Sequence, residues 1–176
     1  MLTLYKFFCN FNYPIWVLIL AVRRLKGKEH KVRFREKLGY YEQQRPKKDL
    51  IWINALGLGE TLSLTLFLEE LSKVFSDHTL LLTSSTLQSK IALEKIPLSK
   101  NIIHQFAPID NYYALESFLD YWKPKMALFS ELDVWPLRTS KVKERKIPIL
   151  LINSRMNEKK KTSRKRLGKL FSETLK

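Results

Sequence analysis

The chain has 176 residues, 45% of them hydrophobic, which suits one α/β domain with an appendage and excludes disorder along the whole length. Its 32 lysines and arginines oppose 17 acidic residues, a formal charge of +15, so the partner is anionic: nucleic acid, an acidic membrane surface or a phosphorylated substrate. A single cysteine, Cys9, excludes an intrachain disulfide and a multi-cysteine zinc site, and His30, His78 and His104 lack metal-ligand spacing.

Residues 7–22 are mostly apolar, interrupted by Asn10, Asn12 and Pro14. Counted from Leu2, the run approaches the ~20 residues of a spanning helix. Arg23, Arg24, Lys26, Lys28, Lys31, Arg33, Arg35 and Lys37 follow, relieved only by Glu29 and Glu36. Basic residues beside an apolar segment mark the cytoplasmic side and attract anionic headgroups. A signal peptide would carry its charge before the run and a small-residue cleavage site after it, the reverse of the order here. The segment reads as a membrane anchor over 1–24, spanning or in-plane, with a buried soluble helix as the alternative. Residues 25–49 then form a basic juxtamembrane segment.

From residue 50 strand and helix patterns alternate. Leu50 to Ala55 is a first strand, broken by Gly57 and Gly59. A helix follows with Leu64, Phe67, Leu68, Leu71, Val74 and Phe75 on one face. Thr79 to Thr83 is a second strand, Leu87 to Lys95 a weaker helix, and Ile102 to Phe106 a third strand ended by Pro108. Asp110 or Asn111 caps the next helix, whose apolar face is Leu115, Phe118, Leu119 and Trp122. Met126 to Phe129 is a fourth strand. Trp135 and Pro136 lead into a helix ending before Ile147, and Pro148 to Asn153 is a fifth strand. The fold class is therefore α/β, a Rossmann-like parallel sheet over 50–155 with helices on both faces. A basic tail fills 156–176, its Leu167, Leu170, Phe171 and Leu175 spaced for a basic amphipathic helix.

In such folds chemistry sits in loops at the carboxyl ends of the strands. That rule selects 54–60, 83–86, 106–111, 130–136 and 153–155. Within these loops and the preceding basic segment, several stretches resemble the amino-terminal domain of the 3-deoxy-D-manno-octulosonic acid (Kdo) transferases. They are Arg33-Phe34-Arg35-Glu36-Lys37-Leu38-Gly39, Ile51-Trp52-Ile53-Asn54-Ala55 with Gly59-Glu60, and Phe106-Ala107-Pro108-Ile109-Asp110. Glu131-Leu132-Asp133-Val134-Trp135-Pro136 and Leu151-Ile152-Asn153-Ser154-Arg155 complete the set, in the expected order over about residues 30–160. The sequence departs from the family pattern at Asn54, where a histidine is expected, at Leu56 and Gly57, and at Asp133, where glutamate is expected.

The resemblance implies the amino-terminal half of a GT-B glycosyltransferase, with the acceptor against this domain and the membrane. It implies inverting transfer of Kdo from CMP-Kdo to a lipid A precursor (lipid IVA), with no cofactor and no metal, at the cytoplasmic face of a bacterial inner membrane. The nucleotide sugar would be held mainly by a carboxy-terminal domain, which finds no counterpart in this chain. A separately encoded carboxy-terminal half is then an expected partner, and nucleic acid is not. The alternatives are a non-catalytic, membrane-bound lipid-acceptor module and an inactive remnant.

Glu60 aligns with the family's general base, which takes the proton of the attacking acceptor hydroxyl. On its residues alone it reads first as a helix-start carboxylate, and the role as base is what the resemblance implies. Gly59 frees the backbone for close approach to a ligand. Glu131 and Asp133 orient sugar or fix Arg155, or are a solvated strand end. Arg155 binds phosphate or carboxylate, or belongs to the tail. Arg33 and Arg35 meet the acceptor's phosphates, or flank the membrane surface. Trp135 reads as a core residue in preference to a sugar platform.

Overall fold

The computed structural model describes residues 9, 11–130 and 135–152. Helix α1 spans Tyr13–Leu25, with Pro14 in its first turn and Arg23 and Arg24 in its last, where cations suit the helix dipole. A 3-10 helix follows at Arg33–Leu38. Then come β1 at Leu50–Asn54, α2 at Leu58–Ser63, α3 at Thr65–Val74 and β2 at Thr79–Ser84. Helix α4 at Leu87–Leu93 precedes β3 at Ile102–Phe106, α5 at Tyr112–Trp122 and β4 at Met126–Ser130. Helix α6 at Pro136–Glu144 and β5 at Ile149–Ile152 close the described fold.

All strand pairs are parallel, in the order β3-β2-β1-β4-β5. The chain builds outward from β1 through β2 to β3, then returns to lay β4 on the other side of β1. The strand order therefore reverses between β1 and β4, the place where open α/β sheets form a crevice.

Alternation along the strands sorts the core into two layers. Leu50, Trp52, Leu81, Ala127 and Phe129 pack with Phe118, Leu119 and Trp122 of α5 and Val142 of α6. Ile51, Ile53, Leu80, Leu82 and Leu128 pack on the other face with Leu64, Leu68 and Leu93. All four residues expected on the α5 face are buried. Asn111, not Asp110, caps that helix, its Oδ1 accepting from the Tyr113 and Ala114 amides at 2.9 and 3.4 Å. The helix expected through residue 75 is two, broken at Leu64. Of its expected apolar face, Phe67 and Val74 are exposed, because the 4-3-4 spacing of Leu64, Leu68, Leu71 and Phe75 already fills the side turned to the sheet.

The amino-terminal region differs most from expectation. Among the described residues no helix is long and apolar enough to cross a membrane. Helix α1 has 13 residues, about 20 Å at 1.5 Å per residue, against the ~30 Å of a hydrocarbon core. It lies on the domain: Leu20 is buried, Tyr13 donates to Leu38 O at 3.2 Å, and Asn111 Nδ2 donates to Cys9 O and, at 3.0 Å, to Asn12 Oδ1. Phe11, Ile15, Leu18, Val22 and Leu25 remain exposed at helical spacing on its other side.

Nor are residues 25–49 a merely basic flank. The 3-10 helix packs on β3, and Glu29, Glu36 and Lys37 are buried. It ends at Gly39, whose φ of +94° belongs to the left-handed region, and an added Cβ would stand 2.8 Å from Ser117 Cβ. Gly39→Ala should therefore cost about 2–4 kcal/mol, from left-handed strain together with the clash on α5. Gly27→Ala, with φ +68° but no atom within 4 Å of the added Cβ, should cost about 1 kcal/mol. Urea unfolding of the two variants beside the parent checks the difference.

Candidate functional site

At the carboxyl ends of the strands a cavity of about 270 Å³ opens beneath α1. Leu56 supplies its wall after β1, Ser85 after β2, Ala107 to Asp110 after β3, and Trp135 after β4. These belong to four of the five loops selected from the sequence. Trp16, Ile19, Leu20 and Arg23 of α1 roof it, while Glu29, Lys37 and Arg138 bring charge to its wall. Trp135 is 42% exposed, which overturns its reading as a core residue: it follows the loop at the sheet's switch point and packs as cavity lining.

The charged wall is tightly paired. Lys37 Nζ donates to Glu29 Oε2 at 2.5 Å and to Ser85 O at 2.7 Å. Arg23 Nε donates to Glu29 Oε1 at 2.6 Å. One buried carboxylate thus ties α1 to the 3-10 helix, and the lysine ties both to the loop after β2. Burial pushes the Lys37 ammonium below its usual range, opposed by the hydrogen bond and charge of Glu29. On the other side, Asp110 Oδ1 accepts from the Arg138 amide at 3.0 Å, capping α6 from the β3 loop. The Arg138 guanidinium donates back to Pro108 O at 2.9 Å. Arg23 is the partly exposed member of this cationic set, its side chain 44% accessible.

Glu60 sits in the first turn of α2, in the loop that contributes Leu56 to the cavity. Its Oε2 accepts from the Leu56 amide at 3.0 Å and the Gly57 amide at 3.3 Å. The helix-start role is therefore realised. Its Oε1 makes no hydrogen bond within the described residues, so one oxygen is anchored and the other remains available. Thr61 Oγ1 donates to Gly57 O at 2.7 Å and holds the same turn from below. Gly57 has an extended backbone, and an added Cβ at Gly59 would meet nothing within 4 Å, so neither glycine is demanded by backbone geometry.

Arg33 and Arg35 do not line this cavity. Arg33 is committed to structure: Nε donates to Glu36 Oε1 at 2.6 Å and NH2 to His104 O at 2.6 Å. Asn54 is fully buried, its Oδ1 accepting from Thr83 Oγ1, which in turn accepts from Trp52 Nε1. It belongs to the packing under the site and not to its surface. Glu131, Asp133 and Arg155 lie outside the described residues, as does the tail at 156–176. Among the described residues no cluster of metal-ligating side chains occurs.

Sequence reasoning missed Arg23, Glu29, Lys37 and Arg138 as site residues. The first three had one signal: Glu29 and Glu36 are isolated acids in a run of bases, and both are buried as the centres of ion pairs. Arg138 carried none.

The arrangement is a cleft with cationic and apolar walls and a roof helix exposing apolar residues on its outer side; Glu60 is not in the wall and is bonded to the amide of Leu56, which is. Residues 32–176 match the family described as 3-deoxy-D-manno-octulosonic-acid transferase (kdotransferase). A probable mitochondrial 3-deoxy-D-manno-octulosonic acid transferase of Arabidopsis thaliana is 36% identical over 146 residues, 83% of this chain and 32% of its own length. The 3-deoxy-D-manno-octulosonic acid transferase of Rickettsia bellii is 35% identical over 183 residues, 99% of this chain and 43% of its own. That of Haemophilus influenzae is 22% identical over 158 residues, 89% and 36% respectively. The chain spans less than half the length of each of these relatives.

Proposed function

We propose, from the premise that this chain belongs to the Kdo transferase family, that it forms the acceptor side of a transferase moving Kdo from CMP-Kdo to a lipid A precursor. The observation that carries the reading is the place of Glu60. Its carboxylate is fixed by the Leu56 and Gly57 amides in the loop that walls the strand-end cavity, with Oε1 unengaged among the described residues.

In the proposed reaction the acceptor hydroxyl gives its proton to Glu60 as its oxygen bonds to the anomeric carbon of Kdo. The bond from that carbon to the cytidylate phosphate oxygen breaks, and CMP leaves with the electron pair. The Arg23 guanidinium at the cavity mouth suits a phosphate of the acceptor. The anchor is proposed to be in-plane: α1 would lie at the cytoplasmic face of the membrane on its exposed Ile15, Leu18 and Val22, with Arg24, Lys26 and Lys28 among headgroups.

The test is Kdo transfer in membranes of cells lacking their own transferase, supplied with CMP-Kdo and lipid A precursor. The chain is assayed alone and with the carboxy-terminal half of a relative. Glu60→Gln, which keeps the cap's shape, should lower transfer about 10²–10⁴-fold. Transfer unchanged in that variant would remove Glu60 from the chemistry. Acceptor binding without transfer, in both arrangements, would replace the enzyme with a lipid-acceptor module.

A further inference from the structure

Only Lys37 of the 3-10 helix lines the strand-end cavity. Arg33, Arg35 and Glu36 of the same helix line a second and larger one, about 680 Å³, completed by residues 39–43 with Ser117 and Tyr121. An apolar groove of about 350 Å³, lined by Tyr13, Val17, Ala21, Phe34 and Leu38, shares Arg35 and Tyr40 with it. The two therefore adjoin across these side chains, and both volumes fall in the range of small-molecule sites. Neither contains any residue of the strand-end cavity.

The charges in the larger cavity are unequally engaged. Arg33 and Glu36 are bound to each other, and Glu36 Oε2 also accepts from the Phe106 amide at 2.8 Å. Arg35 and Glu42 have no side-chain hydrogen bond or ion pair within the described residues. The cavity thus presents one unpaired guanidinium and one unpaired carboxylate. Tyr40, Tyr41 and Tyr121 line the same cavity, the last two stacked with ring centroids 5.1 Å apart. The Tyr41 ring packs edge-on against Phe118 and Trp122 and gives the cavity a fixed wall.

A guanidinium recognises phosphate through its forked donors, while a carboxylate with aromatic faces recognises an ammonium group. The adjoining groove adds an apolar path that runs along α1, beside the helix's exposed apolar side. We propose that this cavity and groove bind an amine-bearing phospholipid. The phosphate sits on Arg35, the ammonium lies at Glu42 among the tyrosines, and the start of one acyl chain occupies the groove. The site is distinct from the strand-end cavity, so the protein would hold a bilayer lipid beside the place where its acceptor is handled.

The test uses the full chain and two monomeric short-chain lipids, dihexanoyl phosphatidylethanolamine and dihexanoyl phosphatidylglycerol, titrated by calorimetry. The ethanolamine lipid should bind saturably and about fivefold or more tighter than the glycerol lipid. Arg35→Ala should weaken it about tenfold, the loss expected for one charge-assisted contact. Glu42→Gln should erase the preference between the two lipids, and Lys95→Ala, an exposed charge outside both depressions, should change neither. Phosphoethanolamine alone should bind more weakly than the lipid; equal binding would remove the groove from the site. Equal or tighter binding of the glycerol lipid would overturn the proposal in favour of diffuse positive charge. So would the absence of saturable binding by folded protein, or Arg35→Ala behaving like Lys95→Ala. These readouts need no sugar donor and no Glu60, so their failure is separable from failure of the transferase reading.

Discussion

Glu29→Ala should destabilise the protein by about 3–5 kcal/mol, the usual cost of removing one partner from a buried ion pair. The Glu29 side chain is 1% exposed and holds Lys37 on one oxygen and Arg23 on the other. Without it the Lys37 ammonium, only 7% exposed, keeps the Ser85 carbonyl alone and loses its counter-charge. Arg23 is 44% exposed and turns to water at little cost. The damage is therefore specific to Lys37, and removing both charges should cost less than removing one. Glu29→Leu combined with Lys37→Met should be more stable than either Glu29→Leu or Lys37→Met alone, a sign that two independent losses cannot produce. Denaturant midpoints of the two single variants and the double variant decide it. A loss below about 1 kcal/mol for Glu29→Ala would place the pair in solvent. The same substitution should loosen α1 from the loop after β2, because no other ion pair joins these elements among the described residues.

That network shows where sequence reading stops. The sheet was legible because its strands are short continuous apolar runs bounded by breakers, and fully buried parallel strands leave few other solutions for Leu50 to Asn54 or Thr79 to Ser84. The loops at the strand ends followed from topology alone, and they hold half of the cavity wall. The ion pairs of residues 23–37 were not legible because composition treats every base alike. Lys37 reaches a carbonyl 48 positions away and Arg33 one 71 positions away, pairings that no local window contains. The break at Leu64 was equally hidden: φ −91° and ψ −6° are near enough to helical that the apolar period runs through it unbroken. Glu60 was found by resemblance, and its cap was weighed as an alternative. The structure shows the cap.

Acid should weaken the fold through His104 before it reaches the carboxylates. His104 lies on β3 between Ser84, whose Oγ is 2.8 Å from Nε2, and the Phe106 ring at 5.4 Å. Its Nδ1 is buried without a partner. Burial, then the charges of Arg33 and Lys90, push its pKa down to about 3 from an ordinary 6.5. The folded state therefore keeps His104 neutral while the unfolded chain takes up a proton below about 6.5, so the unfolded state binds more protons across the window between these values. Stability contributed by the neutral ring is complete above about pH 6.5 and declines as pH falls toward 3, by at most about 1.4 kcal/mol per unit. Urea unfolding at pH 7 and pH 5 should show a loss of about 2 kcal/mol, and His104→Gln should remove most of the difference. Glu69, Asp77, Glu94 and Glu116 are held below their usual carboxylate range, by hydrogen bonds at the first three and by Lys141 and Arg145 against burial at Glu116, so their share is lost only at lower pH. His30, also lowered chiefly by burial, is more exposed and adds less. Equal slopes in parent and variant would mean that His104 protonates within the fold. The position matters for the site, since Ser84 immediately precedes the Ser85 carbonyl that holds Lys37. A proton on His104 would strain the strand end on which the cavity's charged wall is hung.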